Sequence, residues 1–204
     1  MHRLITFLII ACTAWGTQAQ NVSLKDGLYQ TFEDFRHARC IPLERIISSS
    51  PQDDLQFLNK EMTRKFIKYK DDRDSVREVK SSSMWGYVSN GSLFVNHNSA
   101  FNRVPVVGSL AHFTAIVETY QGPANPYHTV GEPMYTREMR QYVLKLADGM
   151  ILEFTPGNMI HMMQDDPAML ESFSQLKRSQ QRKLMFMYLR QYNEAHPWEG
   201  QQPQ

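Results

Sequence analysis

The chain has 204 residues, with 22 Lys and Arg against 21 Asp and Glu and a formal net charge of +1. That balance argues against a nucleic-acid binder, which needs a concentrated basic face. Of the two cysteines, Cys12 lies in an N-terminal segment that reads as an export signal. Cys40 alone then remains, which excludes a disulfide framework and a zinc site built on paired thiolates.

The opening, MHRLITFLIIACTAWGTQAQ, has the layout of a secretory signal. Arg3 supplies the positive start, Leu4 to Ala11 the apolar run, and Thr17-Gln18-Ala19 the small-residue cleavage pattern. The run is too short to span a bilayer. Ile9-Ile10-Ala11-Cys12 offers a second outcome, a lipobox in which Cys12 would carry a lipid anchor. Cleavage after Ala19 is the preferred reading. It removes Arg3 and no acidic residue, leaving 21 basic against 21 acidic groups. About 185 residues then suffice for one domain with a substantial core, expected over 20–194.

In DGLYQTFEDFRHARCIP, Asp26-Gly27 signals a turn. Thr31 with Asp34 forms a capping-box-like helix start, and Pro42 marks the stop. Phe32 and Phe35 would share a face of that helix. From 55 to 119, LQFLN, RKFIKYK, SMWGYVS, SLFVNH, FNRVPVV and LAHFTAIVET read as short β-type runs, with VREVK after the turn residues DDRDS. Pro105 suits an edge or a bulge.

Two hairpins can be assigned a register. With Ser89-Asn90-Gly91 as a three-residue loop, Tyr87 faces Leu93, Trp85 faces Val95, and Phe94 lies opposite Gly86. That choice collects the large apolar groups on one face and makes Trp85 a core residue. A two-residue Asn90-Gly91 turn would instead set Trp85 against Asn96. With Ala147-Asp148-Gly149 as the second loop, Leu146 pairs with Met150, Leu144 with Leu152 and Tyr142 with Phe154.

The end of the chain reads as helical. MIHMMQ makes a short turn of helix, and DDPAML supplies a cap with proline at the first helical position. Met169, Leu170, Phe173, Leu176, Leu184, Met187, Tyr188 and Tyr192 form an apolar stripe, interrupted at Gln180 and by the basic centre KRSQQRK. This helix is expected to lie against the sheet, with residues 195–204 as a loose tail. The fold class is therefore α+β: a meandering antiparallel sheet, with a barrel-like closure as one variant, under a C-terminal amphipathic helix.

Signals for chemistry are sparse. Asp34, His37 and Cys40 recur three apart and would meet on a continuous helix, where a Cys–His pair can form a nucleophile. The default for a lone cysteine is a small buried hydrophobe. His97, His112, His128 and His161 show no metal-ligand spacing. His112 is expected on the polar face of its strand, opposite Phe113, Ala115 and Val117. No nucleophile elbow, phosphate loop or dinucleotide fingerprint occurs, so no cofactor or metal is expected. Lys177, Arg178, Arg182 and Lys183 form a solvated basic face within reach of acidic lipid or polysaccharide.

The candidate site is YQGPANPYHTVGEPMY, residues 120–135. It reads as a long connection without secondary structure of its own, a type of segment often used for function. Tyr120, Tyr127, His128 and Tyr135 supply amphipathic contact groups suited to a protein or glycan surface.

DGLYQTFEDF, MWGYVSNGSLFVN with FNRVPVVGSLAHF, and the terminal YLRQYNEAHP together resemble a family of exported proteins of unknown function from Bacteroidota. The resemblance implies a periplasmic or cell-surface setting in a Gram-negative bacterium and carries over no catalytic residue. The expected function is a non-enzymatic binding or accessory module of the envelope using the 120–135 loop, with an envelope protein or glycan as partner, no nucleic acid and no transmembrane helix. The alternatives are a hydrolase with dispersed carboxylates or a Cys40-based site, and a structural or assembly protein.

Overall fold

The computed structural model describes residues 23–123 and 133–202. The export segment with Cys12, and Tyr127 and His128, lie outside them. The fold is α+β, with ten strands in three antiparallel sheets and five α-helices among the described residues. The first sheet runs β1 (Gly27–Tyr29), β5 (Gly86–Ser89), β6 (Ser92–His97), β7 (Ala100–Arg103). The second is β2 (Ile46–Ile47), β3 (Phe66–Lys70), β4 (Val76–Lys80). The third is β10 (Ile151–Glu153), β9 (Pro133–Lys145), β8 (Leu110–Pro123). None of the three closes into a barrel.

Side-chain alternation along the strands explains how these sheets stack. Val88, Leu93 and Val95 on one face of the first sheet share a core with Phe113, Tyr142 and Leu144 of the third. On its other face, Leu28 and Tyr87 pack with Ile46 and Ile67 of the second sheet and with α2 (Phe57–Glu61). The outer face of the third sheet, through Leu110, Val143 and Phe154, is covered by α3 (Pro156–Met162), α4 (Pro167–Ser174) and α5 (Arg178–Ala195). The first and third sheets are thus each buried on two sides. A fully buried Leu or Phe in such a layer contributes about 1.5–3 kcal/mol.

The local signals at helix ends are met in the structure. The Thr31 hydroxyl accepts from the Asp34 amide at 3.0 Å, and the Asp34 carboxylate accepts from the Thr31 amide at 3.1 Å, starting α1 (Phe32–Arg36). Asp166 accepts from the Met169 amide at 3.0 Å, with Pro167 opening α4. The helix α1, however, stops at Arg36, well before Pro42, because Ala38 turns into the left-handed region (φ 53°). The single terminal helix divides into α4 and α5 at Gln175–Lys177. Gln180, which interrupts the apolar stripe, accepts from the Lys177 amide at 3.2 Å and so caps the second piece.

Both hairpin registers differ from expectation by one residue. Gly86 pairs with Val95, Tyr87 with Phe94 and Val88 with Leu93, across a two-residue Asn90-Gly91 turn. Asn90 and Gly91 both have positive φ, 50° and 69°, which a turn of this hand requires. The Asp26 carboxylate accepts from both turn amides, at 2.9 and 3.0 Å, so a distant element selects the turn. Tyr87, Phe94 and Phe101 then cluster on the face opposite Val88 and Leu93. In the second hairpin Leu144 pairs with Ile151, Val143 with Leu152 and Tyr142 with Glu153, across a four-residue turn. Trp85 packs against the core, partly buried, with its ring 4.9 Å from that of Phe35.

LQFLN is helical rather than β. Phe57, Leu58, Glu61 and Met62 recur at helical spacing and are all buried, and the buried Glu61 carboxylate is paired with the Ser48 hydroxyl (2.6 Å) and Arg64 (3.1 Å). The segment after α5, expected to be loose, carries several contacts. Trp198 stacks on Phe35, and Gln201 donates to the Tyr29 hydroxyl and the Phe35 carbonyl, each at 2.9 Å.

Candidate functional site

The site is built by the β8–β9 hairpin. Its strands keep one register from Leu110 opposite Lys145 to Tyr120 opposite Tyr135, with an irregularity before Pro123 and Pro133 pair. Of the segment 120–135, expected as a structureless connection, residues 120–123 belong to β8 and residues 133–135 to β9. Thr119 opposite Thr136 and Glu118 opposite Arg137 are cross-strand pairs that sustain a ladder, at about 0.2–1 kcal/mol each.

On the helix side the ribbon is covered as far as His112 and Val143, with the exposed Thr114 and Gln141 next, and on the side of the first sheet cover reaches the partly buried Val117. Past this cover, large side chains emerge. Ile116 and Met139 stand opposite one another, 60% and 75% exposed. Next comes the Glu118–Arg137 ion pair at 2.7 Å, and then Tyr120 and Tyr135, both 57% exposed with ring centroids 5.7 Å apart. These three pairs alternate apolar, ionic and aromatic along one face of an arm. Tyr120 and Tyr135 are thus brought together by the fold.

At the base of this face lies Phe186 of α5, 52% exposed, its ring 4.9 Å from His112 and 4.8 Å from Phe154. His112 does not face solvent as expected. It is 7% exposed, because α5 covers the face of β8 opposite Phe113, and its Nε2 lies 3.1 Å from the Gln141 side-chain oxygen. Burial pulls its pKa down, partly offset by the bond to Gln141. Burial also lowers that of His97, whose ring lies 4.3 Å from Tyr142. Ile116, Met139 and Phe186 carried no signal of their own in the sequence. Only the alternation of β8, carried across to β9 in the correct register, puts the first two on one face.

The Asp34–His37–Cys40 spacing needs a continuous helix, and α1 ends at Arg36. Asp34 is occupied with the cap and lies 3.3 Å from Arg39. The His37 Nε2 lies 3.3 Å from Glu33, and the Cys40 thiol turns to the Asp26 carbonyl at 3.5 Å. Burial pushes the Cys40 thiol up, the direction that disfavours a thiolate nucleophile. Among the described residues, no three His, Cys, Asp or Glu side chains are grouped to hold a metal ion. Buried tyrosines are likewise poor proton donors, since burial pushes Tyr87 up to about 12.

A cavity of about 240 Å³ lies beneath the segment after α5, lined in part by Arg36, His37, Ser109, Trp198, Glu199 and Gln202. Several of its polar groups bond within the wall or to residues just outside it, while the buried Nδ1 of His37 has no hydrogen-bond partner. Arg36 pairs with Glu33 at 3.0 Å, the Ser109 hydroxyl donates to the His196 carbonyl, and the Gln202 amide donates to the Arg36 carbonyl at 2.9 Å. The cavity therefore belongs chiefly to the docking of the C-terminal segment.

Comparison of the chain with protein-family models, with curated proteins and with solved structures finds no match. What defines its class is the stack of sheets under a helical layer, with an exposed two-stranded arm. Among the described residues, no helix is long and apolar enough to cross a membrane.

Proposed function

We propose that the protein is an exported, non-enzymatic binding or accessory module of a Gram-negative cell envelope, periplasmic or at the cell surface, and that it contacts its partner through the β8–β9 arm. The observation that carries this reading is the uncovered face of the arm, where Ile116 and Met139 stand exposed between the body and the Tyr120–Tyr135 pair. Large apolar groups arrayed together on a projecting element mark a contact surface, whereas scattered ones need no explanation. The layout of residues 1–19 supports export.

Photo-crosslinking in the native host tests the arm. A benzophenone amino acid at position 139 is expected to yield defined adducts, whereas the same group at the exposed Leu55 is expected to yield none. Equal yields at both positions, or none at 139, would remove the arm as the contact surface. Intact mass of the recovered protein tests the export half, with cleavage after Ala19 expected.

A further inference from the structure

The near-neutral chain distributes its cations unevenly. The helix α5 carries Arg178, Arg182, Lys183 and Arg190 against one acidic residue, Glu194. All four cations are exposed, and among the described residues none forms an ion pair. Elsewhere arginines are routinely paired, as are Arg64 with Glu61, Arg77 with Asp71 and Arg137 with Glu118. At helical spacing Arg182, Lys183, Phe186 and Arg190 share the outward face of α5. Phe186 in turn meets His112, which projects from the same face of β8 as Ile116. Unpaired cations and uncovered apolar side chains therefore lie on one side of the molecule.

We infer that this side docks on an anionic bilayer surface. The inference rests on the arm reading and names its partner's chemistry. Arg182, Lys183 and Arg190 meet the headgroup phosphates. Phe186, Ile116 and Met139 enter the boundary between headgroups and acyl chains, with Tyr120 and Tyr135 at the level where amphipathic rings settle. The one carboxylate in the exposed row of the arm, Glu118, is neutralised by Arg137. An acidic polysaccharide would engage the cations but leave Ile116 and Met139 in water. All three apolar side chains, Phe186 included, stand exposed, and a deformable bilayer receives exposed side chains without a matching groove.

Vesicle sedimentation tests this with residues 20–204, which hold every described element. Partition onto phosphatidylcholine vesicles containing phosphatidylglycerol is expected at low salt, with little onto phosphatidylcholine alone and a steep loss as salt screens the contact. Changing Arg182, Lys183 and Arg190 together to Gln is expected to weaken partition by about 100-fold, given the usual contribution of each cation near an anionic surface. The double change Ile116→Ser, Met139→Ser is expected to weaken it by about tenfold. Leu55→Ser, at an exposed position in a different layer, should leave it unchanged, and melting curves check that each variant folds. Failure of the unaltered protein to bind phosphatidylglycerol vesicles overturns the lipid assignment, while the arm reading still stands or falls by the crosslinking yield. Equal binding to phosphatidylcholine alone also overturns it. Binding that survives the Ile116 and Met139 changes but not loss of the cations removes the arm from this contact.

Discussion

The inner and outer halves of the β8–β9 hairpin share a register and an alternation but differ in what lies over them. In the inner half, Phe113, Tyr142 and Leu144 face the first sheet while Leu110 and Val143 face the helices. In the outer half, Ile116, Met139, Tyr120 and Tyr135 occupy equivalent ladder positions with no layer above them. Backbone pairing and cross-strand side-chain pairs carry the ribbon outward, and beyond Val117 on one face and Val143 on the other its large side chains are no longer covered. Side chains that hold the fold thus concentrate in the inner half, and large uncovered ones in the outer half.

The largest effect that would sharpen this division is expected at Phe113. Phe113→Ala opens a fully buried site between two sheets and should cost about 3–5 kcal/mol, whereas Ile116→Ala should stay within about 0.5 kcal/mol. Denaturant unfolding of the two variants measures the difference, and similar losses would mean that the outer half is packed after all. A smaller effect is expected where α5 grips the start of β8. The Asn193 side chain accepts from the Leu110 amide at 2.7 Å and donates to its carbonyl at 2.9 Å. Asn193→Ala should destabilise the protein by about 1–3 kcal/mol, read from the same unfolding midpoints.

The smallest effect is a pH dependence at the boundary between the halves. Burial depresses the folded-state pKa of His112, so the folded protein favours the neutral ring. The unfolded chain takes up its proton near pH 6.5, roughly. The contribution of His112 to stability is therefore fully present above that pH and is lost as pH falls toward and through the lower folded value. His112→Gln should flatten the decline in melting temperature on acidification. An unchanged slope would show that the ring titrates as if exposed.

Residues close in sequence were legible where the interaction is local. The Thr31–Asp34 cap and the Asp166–Pro167 helix start each need only neighbours within one turn, and both form as read. Register was less legible. The rule that large apolar groups gather on one face misleads when both faces of a sheet are buried, as at Tyr87 and Val88. The Asn90-Gly91 turn is then chosen by Asp26, more than sixty residues away. At the candidate site, Tyr120 and Tyr135 were found by residue type, but their pairing, and the roles of Ile116, Met139 and Phe186, depend on which layers cover which strands.

By itself the sequence determined the starts of α1 and α4, most of the strands and the α+β class, because capping geometry and side-chain alternation act over a few residues. The tertiary structure alone decided the hairpin registers, the burial of His112 and the docking of Trp198 and Gln201. It also decided where the hairpin leaves the body. Each of these depends on contacts between segments far apart in the chain, and hydrophobic burial has no direction by which one segment could specify its distant neighbour.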